Sequence, residues 1–223
     1  MARAIKWDQA GERLFETGVS QGVLYVQDAN GLYPEGVAWN GLTGVTEAPS
    51  GAEPTDLYAN DKIYVSITSA EKFGATIEAF TYPTEFEECD GSSSIAKGIT
   101  IGQQPRKGFG LSYKTKIGND LVGDAFGYKL KLIYGAKAGV TDKSYETINE
   151  TPNGVTFSWE ISTTSVDVVG FKPTSILTID STKIDPAKLE LLEDVLYGKA
   201  GESPATTVKG RLPLPDEVLT IIG

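Results

Sequence analysis

The stretch Val155-Thr156-Phe157-Ser158-Trp159-Glu160-Ile161-Ser162 decides the fold class, because apolar and polar residues alternate along it without a break. Successive side chains of a strand point to opposite faces, so this period of two places Val155, Phe157, Trp159 and Ile161 on one buried face. The same period recurs outward along the chain. Tyr128, Leu130, Leu132 and Tyr134 alternate with Lys129, Lys131 and Ile133, and Phe109, Leu111 and Tyr113 alternate with Gly110, Ser112 and Lys114. Ile63, Val65 and Ile67 alternate with Tyr64, Ser66 and Thr68. Weaker strand signals cover 22–26, 75–82, 98–101 and 175–180. Gly, Pro and Asn clusters separate these runs, which predicts a mainly β chain: an antiparallel β-sandwich or barrel of about eight strands in one domain, 1–223.

One flanking α-helix is expected over 185–198. Asp185 supplies an N-cap acceptor, Pro186 suits the first turn because it has no N–H to leave unpaired, and Gly198 suits a left-handed position after the last turn. Leu189, Leu192, Val195 and Leu196 form one stripe, so the helix should lie against the sheet. Two stretches lack a period. Residues 27–61, interrupted by glycines and prolines, read as a long acidic inter-subunit loop that is mobile in the free subunit, since compact domains rarely leave more than about 12 to 15 residues without structure. Residues 199–223 read as a C-terminal arm that docks on a further surface.

The chemistry available to this chain is restricted. It contains no histidine, which removes Ser-His-Asp and Cys-His catalysis and histidine-rich zinc sites. No Walker A or G-x-G-x-x-G pattern occurs. Asp28-Ala29-Asn30-Gly31 resembles a fragment of a calcium loop but lacks the third ligand and the terminal Glu, and reads as a turn. Glu85, Glu87, Glu88 and Asp90 are clustered on what alternation would make a strand, compatible with a glycosidase acid pair and equally with a solvated edge. The single cysteine, Cys89, cannot form an intramolecular disulfide, and reads as a small buried hydrophobe rather than a reactive thiol. Asn149-Glu150-Thr151 is formally a glycan acceptor. Neither an apolar signal-peptide core near the N-terminus nor a run of about 18 apolar residues is found, so neither secretion by signal peptide nor membrane insertion is expected. No enzymatic activity, cofactor or metal is expected.

Charge adds a direction. The net charge is −10, which repels phosphate and opposes tight nucleic-acid binding. Residues 1–100 hold 15 acids against 6 Lys/Arg, and residues 101–223 hold 15 against 14. Between Arg13 and Lys62 there are seven acids and no base, including Asp28, Glu35, Glu47, Glu53, Asp56 and Asp61. Arg106, Lys107, Lys114 and Lys116 concentrate positive charge in a short span. Head-to-tail self-association needs two different complementary surfaces on one chain, and these two groups are the candidate pair for stacking copies.

Motifs in order along the chain carry a resemblance. They are 36–43 (GVAWNGLT), 82–91 (YPTEFEECDG), 99–113 (ITIGQQPRKGFGLSY), 117–120 (IGND), 127–135 (GYKLKLIYG), 156–160 (TFSWE) and 162–164 (STT). In their number and sequence, over most of 20–180, the chain resembles the major tail tube proteins of siphophages and related prophages. The resemblance implies a β-sandwich subunit that joins into hexameric rings stacked as a tube. It implies contact with a tape-measure protein, with tail terminator and distal tail proteins, and with double-stranded DNA only in passing. It places the protein in the virion tail, assembled in the bacterial host cytoplasm. Tube subunits of contractile tails or type VI-like injection systems share the architecture, and a carbohydrate-binding tail adhesin is the contrasting class, which exposed aromatics on one sheet face would favour.

Overall fold

The structure, a computed structural model, describes residues 5–145, 147, 154–201 and 207–223. The strands of the first half are β1 (Leu14–Val26), β2 (Gly36–Ala38), β3 (Leu42–Glu47), β4 (Ser50–Gly51), β5 (Pro54–Ala59), β6 (Lys62–Thr68), β7 (Glu71–Lys72), β8 (Gly74–Ala79), β9 (Ser93–Ala96) and β10 (Ile99–Ile101). Those of the second half are β11 (Phe109–Asn119), β12 (Gly123–Ala138), β13 (Phe157–Thr163), β14 (Ile176–Asp180), β15 (Gly198–Lys199) and β16 (Val208–Lys209). The helices are a single turn α1 (Glu87–Asp90), then α2 (Pro186–Tyr197) and α3 (Pro215–Ile222). The chain is mainly β and its strand pairs are antiparallel, as the alternation predicts.

The main sheet runs β2-β1-β11-β12-β13-β8-β3, with β14 also on β12. β12 is long enough to serve two layers. Its residues 129–133 pair with β14 and its residues 136–138 pair with β13. Between these segments Gly135 adopts φ +59, and a Cβ there would lie 2.1 Å from the Thr164 carbonyl oxygen, so only glycine fits the bend. The sheet consequently folds over itself: β2, β1, β11, the start of β12 and β14 form one layer, and the end of β12 with β13, β8 and β3 forms the other.

Two cores follow from this. Between the layers, Leu24, Phe109, Leu111 and Ile133 meet Ile77, Trp159 and Ile161 around Trp39 and Phe86. The rings of Trp39, Phe86 and Trp159 are mutually tilted, with centroids 4.6 to 5.8 Å apart, and such pairs add about 0.5–1.5 kcal/mol each beyond their buried area. On the outer face of the first layer, Val23, Tyr25, Leu130, Leu132 and Tyr134 are covered by Leu189, Leu192 and Leu196 of α2 and by Val218 of α3. The first layer is thus buried on both sides.

Several expectations change in detail. The expected helix forms, with the Asp185 carboxylate accepting from the Ala187 N–H at 2.8 Å and Pro186 in the first turn. Gly198 has φ +77 but ψ 177 rather than a left-handed turn, because the chain leaves the helix extended to form β15 against β16. One flanking helix becomes two, since α3 follows in the same outer layer. The arm docks on its own chain: Gly36 N–H donates to the Gly210 carbonyl at 2.7 Å and Leu212 N–H to that of Tyr33 at 3.2 Å, burying Leu212.

The long loop of 27–61 is corrected to strands β2 to β5. Its Gly and Pro residues mark turns between short strands, and a register shift between Leu42 and Gly44 obscures the period of β3. Trp39, inside this supposed loop, is 3% exposed in the central core. The segment around Glu85, Glu87, Glu88 and Asp90 is corrected from a strand to a 3-10 turn, Thr84–Phe86, leading into α1.

Candidate assembly surfaces

β3 and β8 continue outward as a two-stranded ribbon, through the pairing of β4 with β7 and then of β5 with β6. Asn60 and Asp61 close its tip with φ values of 52 and 59, the left-handed pair that a tight hairpin turn requires. Every residue of β5 and β6 is exposed, on both faces. The pairs Thr55↔Ile67 and Leu57↔Val65 put Leu57, Val65 and Ile67 on one face, while Asp56 opposite Ser66 lies on the other; a register shift follows Leu57, before the pair Tyr58↔Ile63. Val65, Ile67 and Ile63 are 41%, 54% and 56% exposed. The alternation predicts a strand here, and a strand forms, but none of the described residues covers its apolar face.

A second, shorter ribbon has the same character. β9 pairs with β10, and strand alternation puts Ile95, Ile99 and Ile101 on one face, all three exposed. Its turn carries Lys97 and Gly98, and the stretch 93–101 contains no acid. Sequence reasoning passed over this surface because three isoleucines in so short a segment also suit a buried strand.

The ten residues of the candidate stacking pair are dispersed. Asp28 caps its own turn, its carboxylate accepting from the N–H groups of Asn30 and Leu32 at 2.8 Å each. Glu35 pairs with Lys209 at 2.7 Å. Glu47 sits where the ribbon leaves the body, accepting from Lys131 at 2.8 Å and from the Tyr113 hydroxyl at 2.8 Å. Partial burial would raise its carboxyl pKa, but the hydrogen bonds from Lys131 and Tyr113 outweigh that and hold it below the ordinary carboxylate value. Glu53, Asp56 and Asp61 stand exposed on the ribbon, without an ion pair among the described residues.

On the basic side, Arg106 donates to the carbonyls of Ala138 and Gly139, Lys107 pairs with Glu88 at 2.5 Å and Lys116 with Asp124 at 2.6 Å. Lys114 lies under α2 with its side chain 12% exposed, paired with Glu193 at 2.7 Å and 4.2 Å from the centre of the Tyr128 ring. The structure therefore leaves the ribbon acids outward-facing and engages all four bases within the chain.

The remaining candidates resolve into structural roles. Asp90 pairs with Lys143 at 2.5 Å, with its side chain 7% exposed. Glu85 and Glu88 line an open cleft of about 360 Å³ with Asp28, Glu35 and Lys107. Cys89 is fully buried, and burial pushes its thiol pKa up to about 12, as suits an inert core residue. Among the described residues no group of three or more His, Cys, Asp or Glu could hold a metal ion, and no helix is long and apolar enough to cross a membrane. Asn149-Glu150-Thr151 lies outside the described residues. Compared with protein-family models and with curated proteins, the chain matches none.

Proposed function

We propose that this chain is the major tail tube subunit of a long-tailed bacteriophage, a non-enzymatic virion protein that joins into hexameric rings and stacks them into a conduit for DNA. The observation that carries the reading is the ribbon of β5 and β6. An isolated two-stranded hairpin is at best marginally stable in water, and this one displays an uncovered apolar face with three unpaired acids around it. None of the described residues covers that face, and a second copy supplies a cover most simply. A ribbon that leaves one copy and lands on a different surface of the next makes a heterologous contact, which closes into rings or propagates as a filament. The unmatched strand edges of β3 and β14 provide further places for copies to join side by side.

The charge supports the conduit. A subunit of net charge −10 presents few phosphate-neutralising contacts, so a genome slides past it without being held. The tape-measure protein inside the tube, and the terminator and distal proteins at its ends, are the partners this reading assigns, with assembly in the host cytoplasm. An adhesin would display a platform of aromatic rings; Trp39 and Trp159 are both buried in the central core, and the exposed rings, such as Trp7, Phe80 and Phe171, are spread over separate segments, with Tyr58 and Tyr64 on the ribbon. Negative-stain images of concentrated protein test the reading. Hollow filaments or stacked rings are expected, and discrete particles at every concentration would refute it.

A further inference from the structure

The sequence pairs the acidic segment 28–61 with the bases of 106–116, and in the structure each of those bases has a partner within its own chain. Lys114 lies half-buried beneath α2. The acids of the β5–β6 ribbon still face outward. Their counterpart must be apolar, exposed and free of acids.

Among the other places that expose large apolar side chains, three lie at hairpins or turns. The end of the β11–β12 hairpin shows Leu121 and Val122 but carries Asp120 and Asp124 beside them. The turn at 167–172 shows Val169 and Phe171 between Asp167 and Lys172, so its charges cancel. The β9–β10 ribbon shows Ile95, Ile99 and Ile101 with Lys97 and no acid of its own, Glu87 lying at Thr100 on its other face, and Lys97 makes no ion pair among the described residues. We infer that the apolar face of the β5–β6 ribbon of one copy packs on the isoleucine face of the β9–β10 ribbon of a second copy, with Lys97 received by Glu53, which shares the face of Thr55 and Leu57.

The two faces suit one another in kind. Both are two-stranded and present β-branched side chains at the spacing of a pleated sheet, the geometry by which sheets interdigitate face to face. The charges sit at the rims, where they steer encounter and fix register while the apolar contact holds the pair. Because donor and receptor are different ribbons, each copy gives one contact and receives another, so the chain of contacts does not terminate at a dimer.

This inference rests on the assembly reading, and cysteine cross-linking separates the two. Cys89 can stay, being fully buried. Val65→Cys mixed with Ile99→Cys under mild oxidation should give covalent dimers and nothing larger, since each copy has one accessible thiol. A chain carrying both substitutions should give a ladder of multimers, while Val65→Cys mixed with Phe171→Cys should stay at background. Lys97→Glu should slow assembly about tenfold at low salt, and adding Glu53→Lys should restore it. Val65→Cys dimers formed alone, or Lys97→Glu assembling at the wild-type rate, would overturn the pairing. Tubes that form without the Val65 to Ile99 bond would remove the pairing and leave the tube reading intact, whereas that bond in the absence of tubes would do the reverse.

Discussion

Two strands of this protein carry the same written pattern and meet opposite fates. In β13, Trp159 and Ile161 alternate with Glu160 and Ser162, and the apolar pair is 0% and 4% exposed. In β6, Ile63, Val65 and Ile67 alternate just as regularly, and all three lie in the open. Alternation reports which face of a strand is apolar. It says nothing about which molecule covers that face. β13 has a second layer of its own chain above it, and β6 has left the body on a ribbon before any layer can cover it.

The largest test of this contrast is truncation in the covered strand. Trp159→Ala should cost about 3–5 kcal/mol, because the site is enclosed by Trp39, Tyr82, Phe86 and Phe157 and cannot collapse freely. Urea denaturation of dilute protein measures it, and a loss below about 1 kcal/mol would mean that the two strands are less different than their burial implies.

Glu47 stands between the two regions, at the base of the ribbon, and its effect should be intermediate. Its folded pKa is depressed, so its contribution is complete above the ordinary carboxylate value of about 4.5 and is lost as the pH falls through the folded value. Glu47→Gln should therefore be less stable than wild type by a few tenths to about 1 kcal/mol near pH 7, allowing for solvent screening. The gap should close as the pH drops below about 4.5, and a gap that widens in acid would contradict the assignment.

The smallest effect on stability is expected in the uncovered strand. Ile63→Ser with Ile67→Ser should change the unfolding free energy of the dilute subunit by less than about 0.5 kcal/mol while impairing assembly. Hydrogen exchange draws the same boundary: in dilute protein the amides of 42–47 should be protected and those of 54–68 should exchange fast, slowing only after assembly. Strong protection of 54–68 in the monomer would show that the ribbon has a cover within its own chain.

Much of the fold was legible because the second layer, β8 and β13, has one face on the core and one towards solvent, and its sequence shows it. The first layer was harder. Lys114 falls on the polar side of a clean alternation, yet that side is roofed by α2, and Glu193 lies some 80 residues further along the chain, where no local pattern reveals it as the partner. β3 and the first half of β1 were missed because register shifts interrupt their period. Of the candidate surface, the acids Glu53, Asp56 and Asp61 were readable as an excess of one charge. The intrachain partners of the bases were not readable, because they depend on which carbonyls and carboxylates the fold brings to them, as with Arg106 and the carbonyls of Ala138 and Gly139.

Gly135 has a counterpart across the body. At Gly41, φ +76, the chain passes from β2, which is paired to β1, into β3, which is paired to β8. The adjoining Trp39 ties the layers there, its backbone N–H donating to Gly22 at 2.8 Å and its indole N–H to Thr81 at 3.0 Å. Two stacked sheets stitched along both margins resist shear as a flattened cylinder does, where an open stack joined along one margin would slide. In mechanical terms the body is stiff and the ribbon compliant. Any bending or stretching imposed on the subunit is taken up near Ser50 and Lys72, and the spacing of the two layers stays constant.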